Sequence, residues 1–294
     1  MSAIRPRRSV LYMPGANERA LEKAKTLPAD SLILDLEDAV APEAKVEARD
    51  RVCSVVKAGG YGPRELIVRI NGQDTEWGKA DLKAAAHAKP DAILAPKVTS
   101  GDDIAWLDEA LSEAGASGQL ALWVMIETPL AILNLKEIAA KGQTTRLAGF
   151  VMGSNDLLKD FRADPMPGRE NLMTTYTLAI AAARAFDLMI FDGVHNDIAN
   201  AEGFAAEARQ AKAFGFDGKT LIHPTQVEPC NTIFAPPTDA VKQSRDVIAA
   251  FADPANAGKG VLKVNGKMTE LLHLAQAKRM VAVAEAIAAR EAQG

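Results

Sequence analysis

The chain has 294 residues, of which 48% are hydrophobic and 24% charged, and its formal net charge is −4. A chain of this length can bury a large core, and barrel folds of this size are often a single domain. The weak negative charge and the interspersed basic residues give no support to nucleic-acid binding. Cys53 and Cys230 stand outside any CxxC or Cys/His pattern, which argues against a zinc site or a disulfide framework.

The N-terminal segment has no long apolar stretch of the kind found in signal peptides, and no apolar run approaches the ~20 residues that span a bilayer. We therefore expect a cytoplasmic protein with no membrane partner. A small basic cluster, Arg5, Arg7 and Arg8, predicts a solvated arm. The alternative is that these arginines meet the phosphates of a cofactor tail.

Short apolar runs alternate with helix-like segments rich in Ala, Leu, Glu and Lys along most of the chain. Such an alternation of strands and helices predicts an α/β fold of the (β/α)8 TIM-barrel type, with the parallel sheet inside and the helices outside. An open doubly wound sheet is the competing fold, but the first turn lacks the GxGxxG fingerprint for dinucleotides. The predicted strand regions are 9–15, 31–40, 65–72, 92–97, 122–128, 148–156, 188–197 and 219–226.

The chain continues beyond the last of these runs. A break at Pro236 and Pro237 precedes a helix-like stretch at 239–251, a short hairpin or loop near 260–270, and a helix from about 271 to 292. This tail is too short to be an independent domain. We therefore predict a catalytic barrel over 1–235 and a C-terminal helical extension and lid over 236–294, which packs on the barrel mouth or on a neighbouring subunit.

Two successive apolar runs each end in an acid. LWVMIE ends at Glu127, and the next run leads through GSN to Asp156. A charge at the tip of a buried strand is costly unless something there requires it. Mg²⁺ takes one or two carboxylates from a protein and completes its shell with water and substrate oxygens. The pair therefore predicts a site for one divalent cation, Mg²⁺ or Mn²⁺, although each acid could instead cap the following helix.

Other polar side chains fall at the predicted carboxyl ends of strands, where barrel enzymes carry out their chemistry. Glu37 and Asp38 could hold metal-bound waters. Arg69 suits a bidentate contact with a carboxylate or a developing enolate oxygen. Lys97 could form a Schiff base, but an ion pair with a nearby acid is the favoured interpretation. No GxSxG elbow is present, so hydrolysis through an acyl-enzyme has little support.

Three further residues at the predicted strand ends allow more than one interpretation. Asp192 and His195 follow the seventh run, and His223 follows the eighth. Each histidine could react or could hold a loop through a hydrogen bond. We assign Asp192 to substrate binding.

Several separated motifs occur in one order along nearly the whole chain: RSVLYMPG, LILDLEDAVAP, VRING, APKV, IETP, GSNDL, DGVHND and LIHPTQV. In these motifs the chain resembles the citrate lyase beta-subunit-like proteins of the HpcH/HpaI aldolase group, which also contains malyl-CoA and citramalyl-CoA lyases. The resemblance implies a barrel that binds Mg²⁺ and coenzyme A thioesters and assembles as a homotrimer or a multiple of it. It also implies that Glu127 and Asp156 bind the metal, that Arg69 steadies the enolate, and that Tyr12 and Lys23 contact coenzyme A.

The reaction implied by the resemblance is reversible carbon–carbon cleavage of a 3-hydroxyacyl-CoA into an acyl-CoA and a 2-keto acid, glyoxylate or pyruvate. The family's tail motif G-x-M-[IV]-D carries the acid/base aspartate, but here the last residue is Glu270. Glutamate is longer by a methylene, and a misplacement of about 1 Å can cost 10²-fold in rate. Three alternatives follow: a malyl-CoA-type thioesterase, a citrate lyase beta subunit acting on an acyl-carrier thioester, and a non-catalytic barrel that binds a CoA metabolite.

Overall fold

The structure is a computed structural model that describes residues 4–293. These residues divide into two units. One comprises residues 7–234, and the other comprises residues 235–293 together with residues 4–6.

The larger unit is a closed barrel of eight parallel strands, each paired with its neighbours in chain order. The barrel closes where Ser9, Val10 and Leu11 pair with residues 219–221 of the last strand. This closure confirms the predicted (β/α)8 barrel and excludes the open doubly wound sheet. The strands are Ser9–Pro14 (β1), Ser31–Asp35 (β2), Glu65–Arg69 (β3), Ala92–Ala95 (β4), Ala121–Ile126 (β5), Leu147–Met152 (β6), Met189–Asp192 (β7) and Gly218–Leu221 (β8).

The helices of this unit alternate with the strands, and side-chain caps explain several of their starts. The Asn17 side chain accepts from the Ala20 N–H at the first helix, and Ser100 and Asp103 form a capping box at the fourth. The helices are Glu18–Ala24 (α1), Lys45–Ala58 (α2), Gly78–Ala88 (α3), Gly101–Glu113 (α4), Pro129–Leu133 (α5), Leu135–Ala140 (α6), Ser154–Phe161 (α7), Met173–Ala185 (α8), Ala201–Phe214 (α9) and Val227–Phe234 (α10), with 3-10 turns at Pro42–Ala44, Lys141–Gln143, Pro167–Leu172 and Pro224–Gln226.

The apolar strands are buried on both faces, which explains why their sequences do not alternate. One core layer lies between the sheet and the helices. The second fills the barrel, where Trp123 stacks on Phe191 with ring centroids 4.6 Å apart. Because these side chains fill the interior, the barrel is a packed core and not a channel.

Buried ion pairs close the end of the barrel at which the strands begin. Arg7 Nη2 donates to Glu65 Oε1 at 2.7 Å, and the guanidinium lies 5.7 Å from the Trp123 ring centroid. Arg8 Nε donates to Asp30 Oδ2 at 2.9 Å. The predicted solvated arm is therefore wrong for Arg7 and Arg8, because buried carboxylates hold both side chains inside.

The smaller unit contains a helix, Thr238–Ala252 (α11), a 3-10 turn at Pro254–Asn256, an antiparallel hairpin of Val261–Val264 (β9) and Lys267–Glu270 (β10), and a long helix, Leu271–Glu291 (α12). Asn265 and Gly266 form the hairpin turn with φ values of 48° and 81°, as expected for an Asn-Gly pair. The hairpin and both helices confirm the secondary structure predicted for this segment. Its role as a lid on a neighbouring subunit stays a prediction.

No helix within residues 4–293 is both long and apolar enough to cross a bilayer.

Candidate active site

A pocket of about 310 Å³ opens within the larger unit at the carboxyl ends of the strands. Polar side chains converge on it, and its apolar surface comes from Ala39, Met125, Met152, Val194 and Ile222. A cavity of this size with polar groups converging on it suits a small polar ligand. The polar residues that line it are Tyr12, Asp35, Asp38, Arg69, Ser154, Asn155, Asp156, Asn196 and Thr220.

The guanidinium of Arg69 is held in this pocket by a bidentate contact with Asp35, in which both hydrogen bonds are 2.6 Å long. Nη1 lies 3.1 Å from Asp38 Oδ2, and the guanidinium carbon lies 4.8 Å from the Tyr12 ring centroid. Burial alone would lower the pKa of Arg69, but the charge of Asp35 raises that pKa well above its usual value. Arg69 is therefore a rigid, permanently charged fork, suited to binding an anionic oxygen.

Glu37 lies beside Arg69, but the burial of its carboxylate is only partly offset by favourable contacts. Its Oε2 is 2.8 Å from Arg69 Nη1, yet this buried oxygen has no hydrogen bond of acceptable geometry. Burial raises the pKa of Glu37 to about 8, although the charge of Arg69 acts in the opposite direction. This carboxyl can accept or donate a proton near neutral pH, so it is a candidate general acid or base, in addition to its predicted role of holding metal-bound water.

The raised pKa of Glu37 predicts how stability depends on pH. The ordinary value for this group is 4.5, so between pH 4.5 and about 8 the folded protein holds a proton that the unfolded chain has released. The unfolding free energy contributed by Glu37 is therefore fully present below pH 4.5 and is lost as the pH rises through about 8. We expect Glu37→Gln to flatten this decline by up to about 1.4 kcal/mol per pH unit.

Urea unfolding of metal-free protein across this pH range, followed by circular dichroism, measures the effect. Glu43→Gln changes an exposed glutamate in the neighbouring 3-10 turn and is expected to keep the wild-type slope. An equal slope in wild type and Glu37→Gln would contradict the assignment.

The two predicted metal ligands lie together, with a lysine between them. Glu127 is 1% exposed, and its Oε1 accepts the Lys97 N–H at 2.7 Å. Lys97 Nζ lies 2.8 Å from Asp156 Oδ1 and 3.5 Å from Glu127 Oε1. The ion pair predicted for Lys97 is thus confirmed. Because one positive group already sits between the two carboxylates, their arrangement suits a cation, and their hard oxygen donors suit Mg²⁺.

Neither acid forms a side-chain cap of the helix that follows it. The hydroxyl of Thr128, not the carboxylate of Glu127, accepts an N–H in the first turn of α5, from Ala131 at 3.1 Å. α7 has Gly153 at its N-cap and no side-chain cap, although Asp156 lies in its first turn. Within residues 4–293, no cluster of three or more His, Cys, Asp or Glu side chains is placed to hold a metal. Two carboxylates are therefore what the described part of the chain offers, a number that suits Mg²⁺ with water and substrate oxygens.

The two acids have different electrostatic surroundings. Burial raises the pKa of Glu127, and the charge of Lys97 opposes that effect. Burial also acts to raise the pKa of Asp156, but the hydrogen bond and charge of Lys97 bring it below its usual value. Asp156 therefore stays ionised, and the pair attracts a cation.

Gly153 makes room for Glu127. A Cβ at Gly153 would lie 2.4 Å from Glu127 Cβ and 2.6 Å from its Oε2. We therefore expect Gly153→Ala to displace the carboxylate and to weaken Mn²⁺ binding about tenfold or more, since misplaced ligands lose coordination geometry. Isothermal titration with Mn²⁺ measures this. Gly149→Ala in β6, whose Cβ would find its nearest neighbour at 3.5 Å, is the matched control and should bind like wild type.

Asp192 and Lys23, two other predicted contact residues of the larger unit, do not line the pocket. Asp192 is fully buried, and its oxygens bind Arg169 Nη1 at 2.7 Å and Lys219 Nζ at 2.7 Å. The geometry gives Asp192 a structural role and does not support substrate contact. Lys23 lies exposed in the last turn of α1 and does not line the pocket. Glu270 is exposed in the smaller unit at the N-cap of α12, where its N–H donates to His273 Nδ1 at 2.9 Å.

The two histidines at strand ends hold loops. His195 Nδ1 lies 3.0 Å from Glu207 Oε1, and the Thr225 N–H donates to His223 Nδ1 at 3.3 Å. These contacts favour the structural interpretation of both residues.

The family described as HpcH/HpaI aldolase/citrate lyase matches residues 8–224, which include the whole pocket. The chain belongs to this family. It is 48% identical over 284 residues to a (3S)-malyl-CoA thioesterase of Cereibacter sphaeroides, with 97% of this chain and 96% of the relative covered. It is 35% identical over 295 residues to the citrate lyase subunit beta of Escherichia coli, with 98% and 96% covered.

Two solved structures share this fold. Protein CitE from Mycobacterium tuberculosis, in complex with magnesium, acetoacetate and coenzyme A, is 27% identical with a TM-score of 0.75, covering 94% of this chain and 97% of that one. A citrate lyase from Burkholderia xenovorans has a TM-score of 0.81 at 18% identity, covering 98% and 94%, and supports the fold alone.

Sequence reasoning missed two contacts in the pocket of this HpcH/HpaI family member. Asp35 follows an apolar run in the sequence, but the sequence motifs do not show its bidentate contact with Arg69. Adjacent strands β2 and β3 place these two residues side by side in register, so the strand assignments contained that signal. Asn155 and Asn196 exchange amide hydrogen bonds of 3.2 Å and 2.7 Å across the rim. Asn155 lies in the GSNDL motif and Asn196 in the DGVHND motif, and neither motif predicts this contact.

Proposed function

We propose that the protein is a divalent-cation-dependent enzyme that hydrolyses a short hydroxyacyl-CoA thioester of the malyl-CoA type. One observation carries the proposal: Glu127 and Asp156 enclose a single positive charge at the edge of a small pocket that also contains the Arg69 fork. A cation site beside an arginine fork suits a small carboxylic acid that is bound through its oxygen atoms. Hydrolysis is favoured over carbon–carbon cleavage by the 48% identity to a malyl-CoA thioesterase along nearly the whole chain.

Glu127 and Asp156 would hold Mg²⁺, or Mn²⁺ in its place. When bound, the ion supplies Lewis acidity and a template for the substrate's oxygens. Arg69 offers its fork to an anionic oxygen of the acid and balances charge that develops at the thioester. In its ionised form, Glu37 accepts a proton from the attacking water through Oε2, an oxygen that lacks a hydrogen bond. The water oxygen bonds to the thioester carbon, the carbon–sulfur bond breaks, and the coenzyme A sulfur takes up a proton.

A lyase is the second candidate, and it is the reaction that the sequence motifs imply first. The citrate lyase subunit beta supports it at 35% identity. This reaction needs an acid/base at the tail motif, where Glu270 replaces the family's aspartate. That substitution favours hydrolysis, for which Glu37 offers a proton acceptor next to the pocket.

Product analysis with malyl-CoA separates the candidates. With Mg²⁺, we expect free thiol and malate in equal amounts and no glyoxylate, and we expect no turnover in the presence of a chelator. Acetyl-CoA and glyoxylate in equal amounts would establish the lyase instead. Turnover of an acyl-carrier thioester alone would indicate a citrate lyase subunit, and metal binding without any turnover would indicate a binding protein.

A homotrimeric assembly, a cytoplasmic location and the coenzyme A contacts of Tyr12 and Lys23 remain part of this proposal. So does the docking of residues 236–294 on a neighbouring subunit. Gel filtration with light scattering tests the assembly.

A further inference from the structure

The ammonium group of Lys97 occupies the space between the two carboxylates assigned to the divalent cation. Its Nζ is 2.8 Å from Asp156 Oδ1 and 3.5 Å from Glu127 Oε1. Mg²⁺ lies about 2.0–2.1 Å from its carboxylate oxygens, so an ion bound by both acids needs the same space. The two cations also repel each other. The ammonium and the divalent ion therefore exclude one another.

The backbone directs Lys97 to this position. Its φ is +56°, in the left-handed region that residues with a side chain seldom adopt. Its N–H donates to Glu127 Oε1 at 2.7 Å, so Lys97 contacts that buried carboxylate with both its backbone and its ammonium. The side chain is 38% exposed, which leaves the ammonium a path to solvent when it is displaced.

We propose that Lys97 is a tethered counter-cation of the metal site. It holds Glu127 and Asp156 together before the metal binds, and the entering divalent ion displaces it. The inference rests on the divalent-cation site of the proposed function. It predicts that removal of the lysine charge tightens metal binding, whereas removal of a residue that assists binding would weaken it.

Lys97→Met tests this, because methionine keeps most of the length and lacks the charge. Binding of Mn²⁺ is followed by the paramagnetic resonance signal of the free ion, at slightly alkaline pH and without thioester. We expect the Kd for Mn²⁺ to fall about tenfold, since the competing charge is partly screened by solvent. The metal-free variant should melt at a lower temperature than wild type, and Mn²⁺ should raise its Tm by more.

Lys159→Met is the matched control. Lys159 Nζ lies 3.6 Å from the same Asp156 oxygen, but its side chain is 73% exposed. We expect its loss to change the Kd by less than about twofold, because exposed ion pairs contribute little. Lys97→Gln repeats the main test if the methionine variant does not fold.

Unchanged or weaker Mn²⁺ binding by a folded Lys97 variant overturns the proposal. A gain in affinity for Lys159→Met as large as for Lys97→Met also overturns it, because the effect would then be one of net charge. Absence of Mn²⁺ binding in wild type would remove the metal site and with it the proposed function. Mn²⁺ binding without thioester hydrolysis would remove the proposed reaction and leave the role of Lys97 standing.

Discussion

Replacement of Glu127 by glutamine is expected to lower kcat/KM for the thioester by on the order of 10³-fold, because a bound metal contributes several kcal/mol to the transition state and each 1.4 kcal/mol is a factor of ten. Glutamine keeps the shape of the side chain but removes one of the two carboxylates that face the cation. Glu127 is 1% exposed, and a Cβ at Gly153 would lie 2.4 Å from its Cβ, so the side chain is held in a tightly packed position. Asp156→Asn should have a similar effect.

Steady-state kinetics over a range of Mg²⁺ concentrations, together with Mn²⁺ titration, measure this loss. Asp160→Asn is the control, because Asp160 lies in α7 with Asp156 but is not a pocket residue. It should bind metal and turn over substrate like wild type. A Glu127→Gln variant with wild-type metal affinity would contradict the site.

Arg69→Lys should lower kcat/KM by about 10²-fold or more and should also destabilise the fold. Lysine is a point charge and cannot form the bidentate contact with Asp35 in which both hydrogen bonds are 2.6 Å long. Breaking a buried charge pair costs about 3–5 kcal/mol when one partner is removed, and a mismatched partner loses part of that amount. Loss of the fork also removes the group that balances charge at the thioester.

Arg49→Lys separates the two effects. Arg49 Nε donates to the buried Asp81 at 2.6 Å between α2 and α3, and neither residue lines the pocket. We expect Arg49→Lys to lower the unfolding free energy in urea while leaving kcat/KM unchanged. If both variants lose activity in proportion to stability, Arg69 has no role in the reaction beyond folding.

The sequence was sufficient to predict the barrel and the convergence of Glu127 and Asp156. Both follow apolar runs, and the carboxyl ends of neighbouring parallel strands meet at one edge, so the two acids had to be close. The same logic did not reveal that the Lys97 ammonium lies between them. Its reach depends on a left-handed backbone conformation at +56°, which no residue pattern around a lysine predicts.

Asp192 shows why position at a strand end was not enough to identify a pocket residue. Its carboxylate is paired with cationic side chains and does not line the pocket. Its partner Arg169 lies in the irregular turn at Pro167–Leu172, where Gly168 and Arg169 both have positive φ values. Lys219, which also binds it, is 0% exposed inside β8. Neither residue belongs to a recognisable motif, so the sequence could not show that the carboxylate was already neutralised. The solvated arm was wrongly predicted for Arg7 and Arg8 for the same reason. The carboxylates that pair with them, Glu65 and Asp30, are distant in the sequence.

Arg7, Glu65 and Trp123 close the end of the barrel at which the strands begin. This closure bears on the order in which products leave the pocket. One end of the barrel is closed, and the pocket at the other end has a volume of about 310 Å³. We therefore expect only the small acyl group of a thioester to fit inside the pocket, and its pantetheine arm and nucleotide to extend out of it. In the proposed hydrolysis, the thiol would lie nearer the pocket opening than the hydroxy acid, so we expect coenzyme A to leave first and the acid second. Malate should then inhibit competitively against the thioester, and coenzyme A noncompetitively.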